Sequence, residues 1–473
     1  MNLTFHPSPT SHLIQQMTVP ENSELFFSRD NLVDIYKQKI GDTETVGIDR
    51  VHPKALGKVL ENEVQIILNK VHAGTYHFTP YKEVLLIKGA GSPPRTVSAP
   101  TARDRIVLRA LYQLLAKSFP EAISKVAQLK IANIIESMAH FDNGEFIKVD
   151  IRHFYPTVDQ KLLLKKIAVR VTKPEILLLI ERAIQTATVP VNKGGKCAEK
   201  NVAGVPQGIA ISNILAEIFM LDFDKAVCLS GQLMYQRYVD DILILCPPEE
   251  SGNIFRKIHS ELGEIGLTPH ALNAQGSKSK SASMRSEFDF LGYRFNDGLV
   301  SVRRQSILKL ESSFANTFTA YRHKINEADT HAKQQRARAI CEWRLNLRIT
   351  GCIFEGKRLG WLFYFSQITD LAKLRAIDHT VDNLLNRFHL KGQIKVKRLL
   401  KSYHECKRID NSSHSYIINF DNMAVNEQRQ LLALLTGHYQ EVQKCSDEKI
   451  SELFKLKIRN IVQELKSDLA EVY

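Results

Sequence analysis

The sequence predicts an α+β protein with two or three packed subdomains. The chain has 473 residues, more than the single core of one compact domain accommodates. Long stretches carry apolar residues at helical spacing, and short apolar runs bounded by turn residues lie between them as candidate strands. The hydrophobic share of 44% and the charged share of 24% are those of an ordinary globular protein, so disorder is not the default interpretation.

Charge and cysteine content narrow the class of protein. The formal net charge of +13 attracts polyanions such as nucleic acid, although binding to acidic lipids or simple solubility would also explain it. The 7 cysteines are scattered without a CxxC pair, which favours reduced thiols in the cytoplasm over a secreted disulfide framework. No apolar run approaches the ~20 residues of a membrane helix. We therefore expect a cytoplasmic protein that does not span a membrane.

The N-terminal part predicts helices around one short strand. Residues 28–81 carry apolar positions three and four apart and predict helices, until Gly74 and the following TYHFTP break the pattern. Residues 83–88 are apolar and lead into GAGSPP, so they predict a strand that enters a turn. A further helix is predicted after residue 100, with Thr101 or Asp104 as its candidate cap.

In the central part, acidic residues lie where predicted strands end. Residues 146–149 predict a buried strand that ends at Asp150. Residues 160–171 predict a helix, and residues 209–223 predict another that GVPQG introduces. LMYQRYVDDILILC predicts two strands joined by a tight turn at Asp240 and Asp241.

The remainder of the chain predicts one loop, one strand and a long helical region. Residues 276–283 are small, polar and basic, which is typical of a mobile loop. Residues 288–295 predict a strand, and everything beyond residue 306 predicts helices.

The acidic residues suggest a metal-dependent phosphoryl transfer. Such a reaction must neutralise charge on a triphosphate and activate a hydroxyl, which two Mg²⁺ ions about 3.5 to 4 Å apart accomplish. Mg²⁺ prefers oxygen ligands. If the strands that carry Asp150 and the Asp240–Asp241 pair are neighbours in one sheet, the three carboxylates can converge at one edge. The alternative for adjacent aspartates in a hairpin is a solvated turn.

Several segments together resemble the reverse transcriptases, above all those of bacterial group II introns, retrons and phage-defence systems. YVDD (238–241) is similar to the metal-binding hairpin of the palm, and KVDIRHFY (148–155) to the strand with the first metal ligand. GVPQG (204–208) is similar to the loop that supports the incoming nucleotide, LLIKGAGSPPRTVSAP (85–100) to the fingers, and FLGY (290–293) to the primer grip. Their order and separations match the family.

The resemblance implies a right-hand polymerase with fingers, a palm that holds an antiparallel sheet, and a helical thumb. In this chain it implies an N-terminal extension and fingers over residues 1–135, a palm over 136–300, a thumb over 301–395 and a C-terminal helical extension over 396–473.

The resemblance also implies roles for the acidic residues. Asp150 and Asp240 would be catalytic ligands of two Mg²⁺ ions, and Asp241 a catalytic residue that is less directly involved. The main-chain carbonyl of Ile151 would complete a metal shell. Tyr155 would lie beneath the sugar of the incoming nucleotide and clash with a 2′-hydroxyl, which favours DNA synthesis; an ordinary core tyrosine is the alternative.

The contacts to the triphosphate and the base follow from the same resemblance. Arg95 would bind phosphate oxygens with its planar fork. Lys88 would be a second contact, or else an exposed lysine without a partner. Gln207 and Gly208 would let the backbone approach the nucleotide closely, or would form a turn without a ligand.

Other residues are candidates for additional roles. Lys278 or Lys280 would protonate pyrophosphate. Arg103 and Arg105 would contact template phosphates, or would only solvate a helix face. Tyr473 would be a protein primer, or else a frayed chain end.

The resemblance implies an RNA-directed DNA polymerase that uses dNTPs, an RNA template and a primer to make DNA. We find no histidine and cysteine cluster of an endonuclease and no recognisable RNase H carboxylates. A stand-alone enzyme that copies a noncoding RNA in antiphage defence is therefore expected by analogy. Whether the protein forms a homo-oligomer or binds a partner protein stays open.

Two other functions stay open as alternatives. An RNA-dependent RNA polymerase shares the palm carboxylates, although Tyr155 and the YVDD hairpin argue against it. A non-catalytic, maturase-like RNA-binding protein is the second, and its weakness is that acids clustered near a polyanion serve no purpose without catalysis.

Overall fold

The computed structural model describes residues 23–87, 93–124, 126–191, 199–229, 233–408 and 416–469. Lys88 and Tyr473 lie outside these ranges, so the expectations for both residues stay predictions. Within the described ranges, none of the helices combines the length and the apolar character that crossing a membrane requires.

Helices are the main element of the described chain. In chain order the α-helices are α1 (Ser23–Phe26), α2 (Arg29–Ile35), α3 (Pro53–Gly57), α4 (Leu60–His72), α5 (Ala102–Ser118), α6 (Ala127–Met138), α7 (Phe154–Thr157), α8 (Gln160–Ala168), α9 (Pro174–Gln185), α10 (Ser212–Leu229), α11 (Ser251–Glu264), α12 (Arg304–Asn326), α13 (His331–Thr350), α14 (Trp361–Tyr364), α15 (Leu371–Arg387), α16 (Leu399–Cys406), α17 (Val425–Thr436), α18 (Tyr439–Lys444) and α19 (Asp447–Ser467). A π-helical turn, Tyr36–Ile40, continues α2.

The strands form small sheets. In chain order they are β1 (Tyr81–Leu86), β2 (Arg95–Ala99), β3 (Glu145–Asp150), β4 (Thr188–Val189), β5 (Met234–Tyr238), β6 (Asp241–Cys246), β7 (Lys280–Ser283), β8 (Phe288–Phe290), β9 (Tyr293–Asn296), β10 (Leu299–Val302), β11 (Cys352–Phe354), β12 (Lys357–Leu359) and β13 (Ile418–Asn419). The sheet orders are β2-β1-β4, β5-β6-β3-β7, β10-β9-β8 and β12-β11-β13. Helices and antiparallel strands thus occur together, as the α+β class predicts.

The first of two compact units comprises Met1–Ser124, Val149–Gly231 and Asn253–Ser279. Its central helix α5 is buried on most of its surface, which is typical of a helix inside a core. Thr101 caps α5 by accepting a hydrogen bond from the N–H of Asp104. Asp104 is itself buried and accepts hydrogen bonds from the hydroxyls of Tyr76 and Thr101 and the N–H of Thr79. Burial raises the pKa of Asp104, and these donors provide the polar partners that a buried carboxyl requires.

The second unit comprises Lys125–Lys148, Gln232–Gly252 and Lys280–Tyr473. One of its cores is aromatic: the rings of Phe288 and Phe295 stack with their centroids 4.8 Å apart. A separate apolar core joins α17 and α19 to the β12-β11-β13 sheet, with Phe420 and Phe454 fully covered. The C-terminal helices α17 and α19 therefore pack around a separate hydrophobic core within the second unit.

Most predicted elements are confirmed, and three predictions are corrected. Residues 280–283 form β7 instead of a loop, because their backbone pairs antiparallel with that of β3. Residues 288–295 hold two strands, since Leu291 and Gly292 turn the chain with φ of 47° and 79°. The region beyond residue 306 is not wholly helical, because Glu355 and Gly356 turn β11 into β12 with φ of 51° and 67°. The bounds of the four predicted domains stay predictions.

Candidate active site

Asp150 is the last residue of β3, and the loop before β7 surrounds it within the first unit. Its carbonyl accepts a hydrogen bond from the N–H of His270 at 2.9 Å, and its own N–H donates to the hydroxyl of Ser279 at 3.1 Å. The carboxylate oxygens lie 3.3 Å from His270 Nε2 and 3.8 Å from Lys278 Nζ. These hydrogen bonds fix the main chain of Asp150, and its carboxylate faces two basic side chains.

His270 is a site residue that the sequence did not indicate. It reaches Asp150 because Ile151 forms a bridge with Pro269 and the N–H of Arg152 donates to the carbonyl of Thr268. This pairing joins segments far apart in the chain and leaves no periodic pattern in the sequence. Ile151 is 2% exposed, so its side chain belongs to the core, and the role of its carbonyl as a metal ligand stays a prediction.

Asp240 and Asp241 lie in a tight hairpin of the second unit. Tyr238 pairs with Asp241, so the turn consists of Val239 and Asp240. Val239 has a φ of 58°, which is strained for a β-branched residue. The buried Arg237 donates from Nη1 to the carbonyl of Val239 at 2.9 Å and stabilises this turn. The strained turn leaves both aspartates at the end of the hairpin, where each is half-buried.

The donor chemistry of the aspartates fits Mg²⁺. β6, which begins at Asp241, and β3, which ends at Asp150, are neighbours in the sheet order. Carboxylate oxygens are preferred Mg²⁺ ligands, and Lys148 Nζ lies 3.5 Å from Asp241 Oδ2 as a balancing charge. In the described ranges, however, no three or more histidine, cysteine, aspartate or glutamate side chains form a group that could hold an ion. The site of three aspartates thus stays a prediction.

Arg95 and the GVPQG loop are brought together in the first unit. Arg95, the first residue of β2, donates from Nε to Gln207 Oε1. The N–H of Ser98 donates to the carbonyl of Gln207 at 2.7 Å. Gly208 has a φ of 98°, and a Cβ at this position would overlap Val97 Cγ1 and lie 3.1 Å from the carbonyl oxygen of Ser98. Only glycine fits this contact between the loop and β2.

Tyr155 contacts the same loop. Its carbonyl accepts a hydrogen bond from the N–H of Val205 at 2.9 Å, and a Cβ on Gly204 would lie 2.6 Å from the carbonyl oxygen of Tyr155. The hydroxyl of Tyr155 donates to Asn213 Oδ1 at 2.7 Å, and the residue is 7% exposed. The predicted nucleotide residues Tyr155, Gln207 and Gly208 are thus parts of one hydrogen-bonded region, while the steric role of the ring stays a prediction.

Two further basic candidates have local partners. Arg103 pairs with Glu63, and Arg105 donates to Thr43 Oγ1 at 3.0 Å and to the carbonyl of Thr45 at 3.3 Å. These contacts support structural roles on α5.

The chain is similar to known proteins over part of its length. Residues 87–295 match the family described as reverse transcriptase (RNA-dependent DNA polymerase). Protein YkfC of Escherichia coli is 26% identical over 212 residues, which cover 41% of this chain and 51% of YkfC. The group II intron-encoded protein LtrA of Lactococcus lactis is 21% identical over 212 residues, which cover 43% of this chain and 33% of LtrA. The chain thus spans about half of one relative and a third of the other.

A solved structure of telomerase from Candida albicans with a fragment of telomeric RNA aligns with 89% of this chain and 68% of that chain, at a TM-score of 0.41 and 13% identity. The family match confirms the predicted resemblance to bacterial reverse transcriptases and the predicted right-hand polymerase fold class. Residues 87–295, less than half of the chain, are thus similar to the reverse transcriptase (RNA-dependent DNA polymerase) family.

Proposed function

We propose that this chain, whose residues 87–295 match the reverse transcriptase family, acts as a Mg²⁺-dependent RNA-directed DNA polymerase. The observation that carries the proposal is the family match over residues 87–295, which include Asp150, Asp240 and Asp241. In this proposal Asp150 and Asp240 hold two Mg²⁺ ions, and Asp241 supports them.

The bound ions would lower the pKa of the primer 3′-hydroxyl and neutralise charge on the triphosphate. The protein's own residues orient the reactants. Arg95, held at its Nε by Gln207, binds phosphate oxygens, and Gly208 holds the GVPQG loop against β2. The ring of Tyr155, fixed through its hydroxyl to Asn213, excludes a 2′-hydroxyl.

The template, by the same proposal, is a noncoding RNA, and the DNA product serves antiphage defence in the bacterial cytoplasm. The net charge of +13 supports a polyanionic partner. The defence role rests on the resemblance to phage-defence enzymes, and its test is a comparison of plaque counts between the wild-type gene and the Asp240→Asn gene. Equal counts would remove the defence role and leave the polymerase intact.

The polymerase activity is tested with the full-length protein and its co-purifying RNA. We expect labelled dNTPs to be incorporated with Mg²⁺ and not after EDTA treatment. The Asp240→Asn variant should lose at least about a thousandfold in rate with an unchanged thermal melting curve. Asp329→Asn is the matched control. Asp329 lies between α12 and α13, and among the described residues its carboxylate forms an ion pair only with the surface residue Lys333.

The same assay separates the alternatives. Incorporation of rNTPs in place of dNTPs would indicate an RNA-dependent RNA polymerase. Retention of RNA without any nucleotide incorporation would indicate a maturase-like binding protein. Sequencing the product identifies the template.

A further inference from the structure

Lys148 connects the YVDD hairpin to strand β8 within the second unit. Its Nζ lies 3.5 Å from Asp241 Oδ2 and donates a hydrogen bond to the carbonyl of Asp289 at 3.0 Å. The Lys148 side chain is only 21% exposed. The ammonium group is therefore largely removed from water and satisfied by two fixed protein groups.

Both ends of this connection are anchored. The neighbours of Lys148 on β3, Ile147 and Val149, are fully buried, so the strand cannot shift without disturbing the core. Asp289 is fixed in turn, because its carboxylate lies 3.3 Å from Arg294 Nε and 3.3 Å from Arg303 Nε. The position of the ammonium group is thus set by β3 and β8 together.

An ammonium group beside a carboxylate competes with a divalent cation for the same oxygens. It also restricts the rotation of that carboxylate, because the charged hydrogen-bonding partner is itself held. Lys278 differs in this respect, since its side chain is 67% exposed at 3.8 Å from Asp150, where solvent screens its charge.

We propose that Lys148 is a positioning residue for polymerisation, which holds the Asp241 carboxylate in place and limits its direct binding of metal ions. The inference rests on the proposed function and deepens it, because it supplies a physical reason why the second aspartate of the hairpin acts less directly than the first. Lys148 touches neither substrate nor ion in this role and acts through Asp241.

The test uses the full-length protein with Lys148→Met, which keeps the length of the stem and removes the charge, and Lys148→Arg, which keeps the charge. Mn²⁺ binding is measured by electron paramagnetic resonance without nucleic acid or nucleotide, and DNA synthesis is measured against Mg²⁺ concentration. Lys333→Met is the matched control, because Lys333 also pairs with an aspartate, at 2.8 Å, but on an exposed turn of α13.

We expect Lys148→Met to bind Mn²⁺ about tenfold more tightly, since a competing charge is gone, and to turn over about tenfold more slowly, since Asp241 is no longer held. Lys148→Arg should stay within about threefold of wild type in both measurements, and Lys333→Met should equal wild type. If Lys148→Met loses its cooperative thermal transition, Lys148→Gln carries the same expectations.

Two outcomes overturn the inference in distinguishable ways. A wild-type protein that synthesises DNA, together with a Lys148→Met variant of unchanged Mn²⁺ affinity, shows that Lys148 is only structural, whatever its rate. A wild-type protein without metal-dependent DNA synthesis removes the proposed function, and the positioning role with it.

Discussion

Arginines in two regions of the molecule are used in opposite ways. In the C-terminal helices, Arg429 donates from Nη1 to the carbonyls of Val442 at 2.6 Å and Cys445 at 2.9 Å, and Nη2 lies 2.7 Å from Asp447. Its side chain is 12% exposed. Among the described residues, Arg95 has a hydrogen bond only from Nε, to Gln207. Arg429 uses its donors within the protein and so stabilises the packing of the C-terminal helices. Arg95 keeps the donors of its two outer nitrogens for an anionic ligand.

Among the changes that test this comparison, the largest effect is expected at Gly208, which joins the GVPQG loop to β2. Gly208→Val should reduce the rate of DNA synthesis more than about a hundredfold, because the new side chain overlaps Val97 and the left-handed φ is strained for valine. Steady-state primer extension measures this loss. Gly263→Ala is the control, since nothing lies within 4 Å of a Cβ there and the site is inside α11. Normal synthesis by Gly208→Val would show that this loop does not shape the nucleotide site.

The next effect is on stability and tests the other side of the comparison. Arg429→Met should lower the free energy of unfolding by about 2 to 4 kcal/mol, because the partly buried carbonyls of Val442 and Cys445 lose their donor. Denaturant titration measures the change, and the KM for dNTPs should stay at the wild-type value below the melting transition. Lys449→Met removes an exposed pair with Glu452 on the same helix and should cost less than about 1 kcal/mol. A shift in the KM of Arg429→Met would mean that this arginine also serves the substrate.

The sequence predicted the positions of the acids and could not predict their partners. The sequence predicts Asp150, Asp240 and Asp241 at strand ends or in a turn, because short runs of apolar residues end beside each of them. The strand β7 was missed, since KSAS carries no apolar alternation and becomes a strand only by pairing with β3. The contact of His270 with Asp150 depends on long-range packing, which a local pattern does not encode.

A smaller effect, on the KM for dNTPs, is expected from Arg95→Lys, which removes the two outer nitrogens of the Arg95 guanidinium. Lysine keeps the charge and loses the planar fork, so the KM for dNTPs should rise about tenfold with little change in kcat. Arg29→Lys is the control, because Arg29 pairs at the surface of α2 with Glu61. A fall in kcat without a rise in KM would place Arg95 in the chemical step instead of in triphosphate binding.

The smallest effect separates the ring of Tyr155 from its hydroxyl. Tyr155→Phe loses the 2.7 Å hydrogen bond to Asn213 and should cost about 1 kcal/mol of stability, while the ratio of dNTP to rNTP incorporation stays within about twofold of wild type. Tyr155→Ala removes the ring and should raise rNTP incorporation clearly. Competition assays with mixed nucleotides measure both variants. Because the ring in this proposal excludes the 2′-hydroxyl by its bulk, equal selectivity losses in the two variants would assign the discrimination to the Tyr155–Asn213 contact instead.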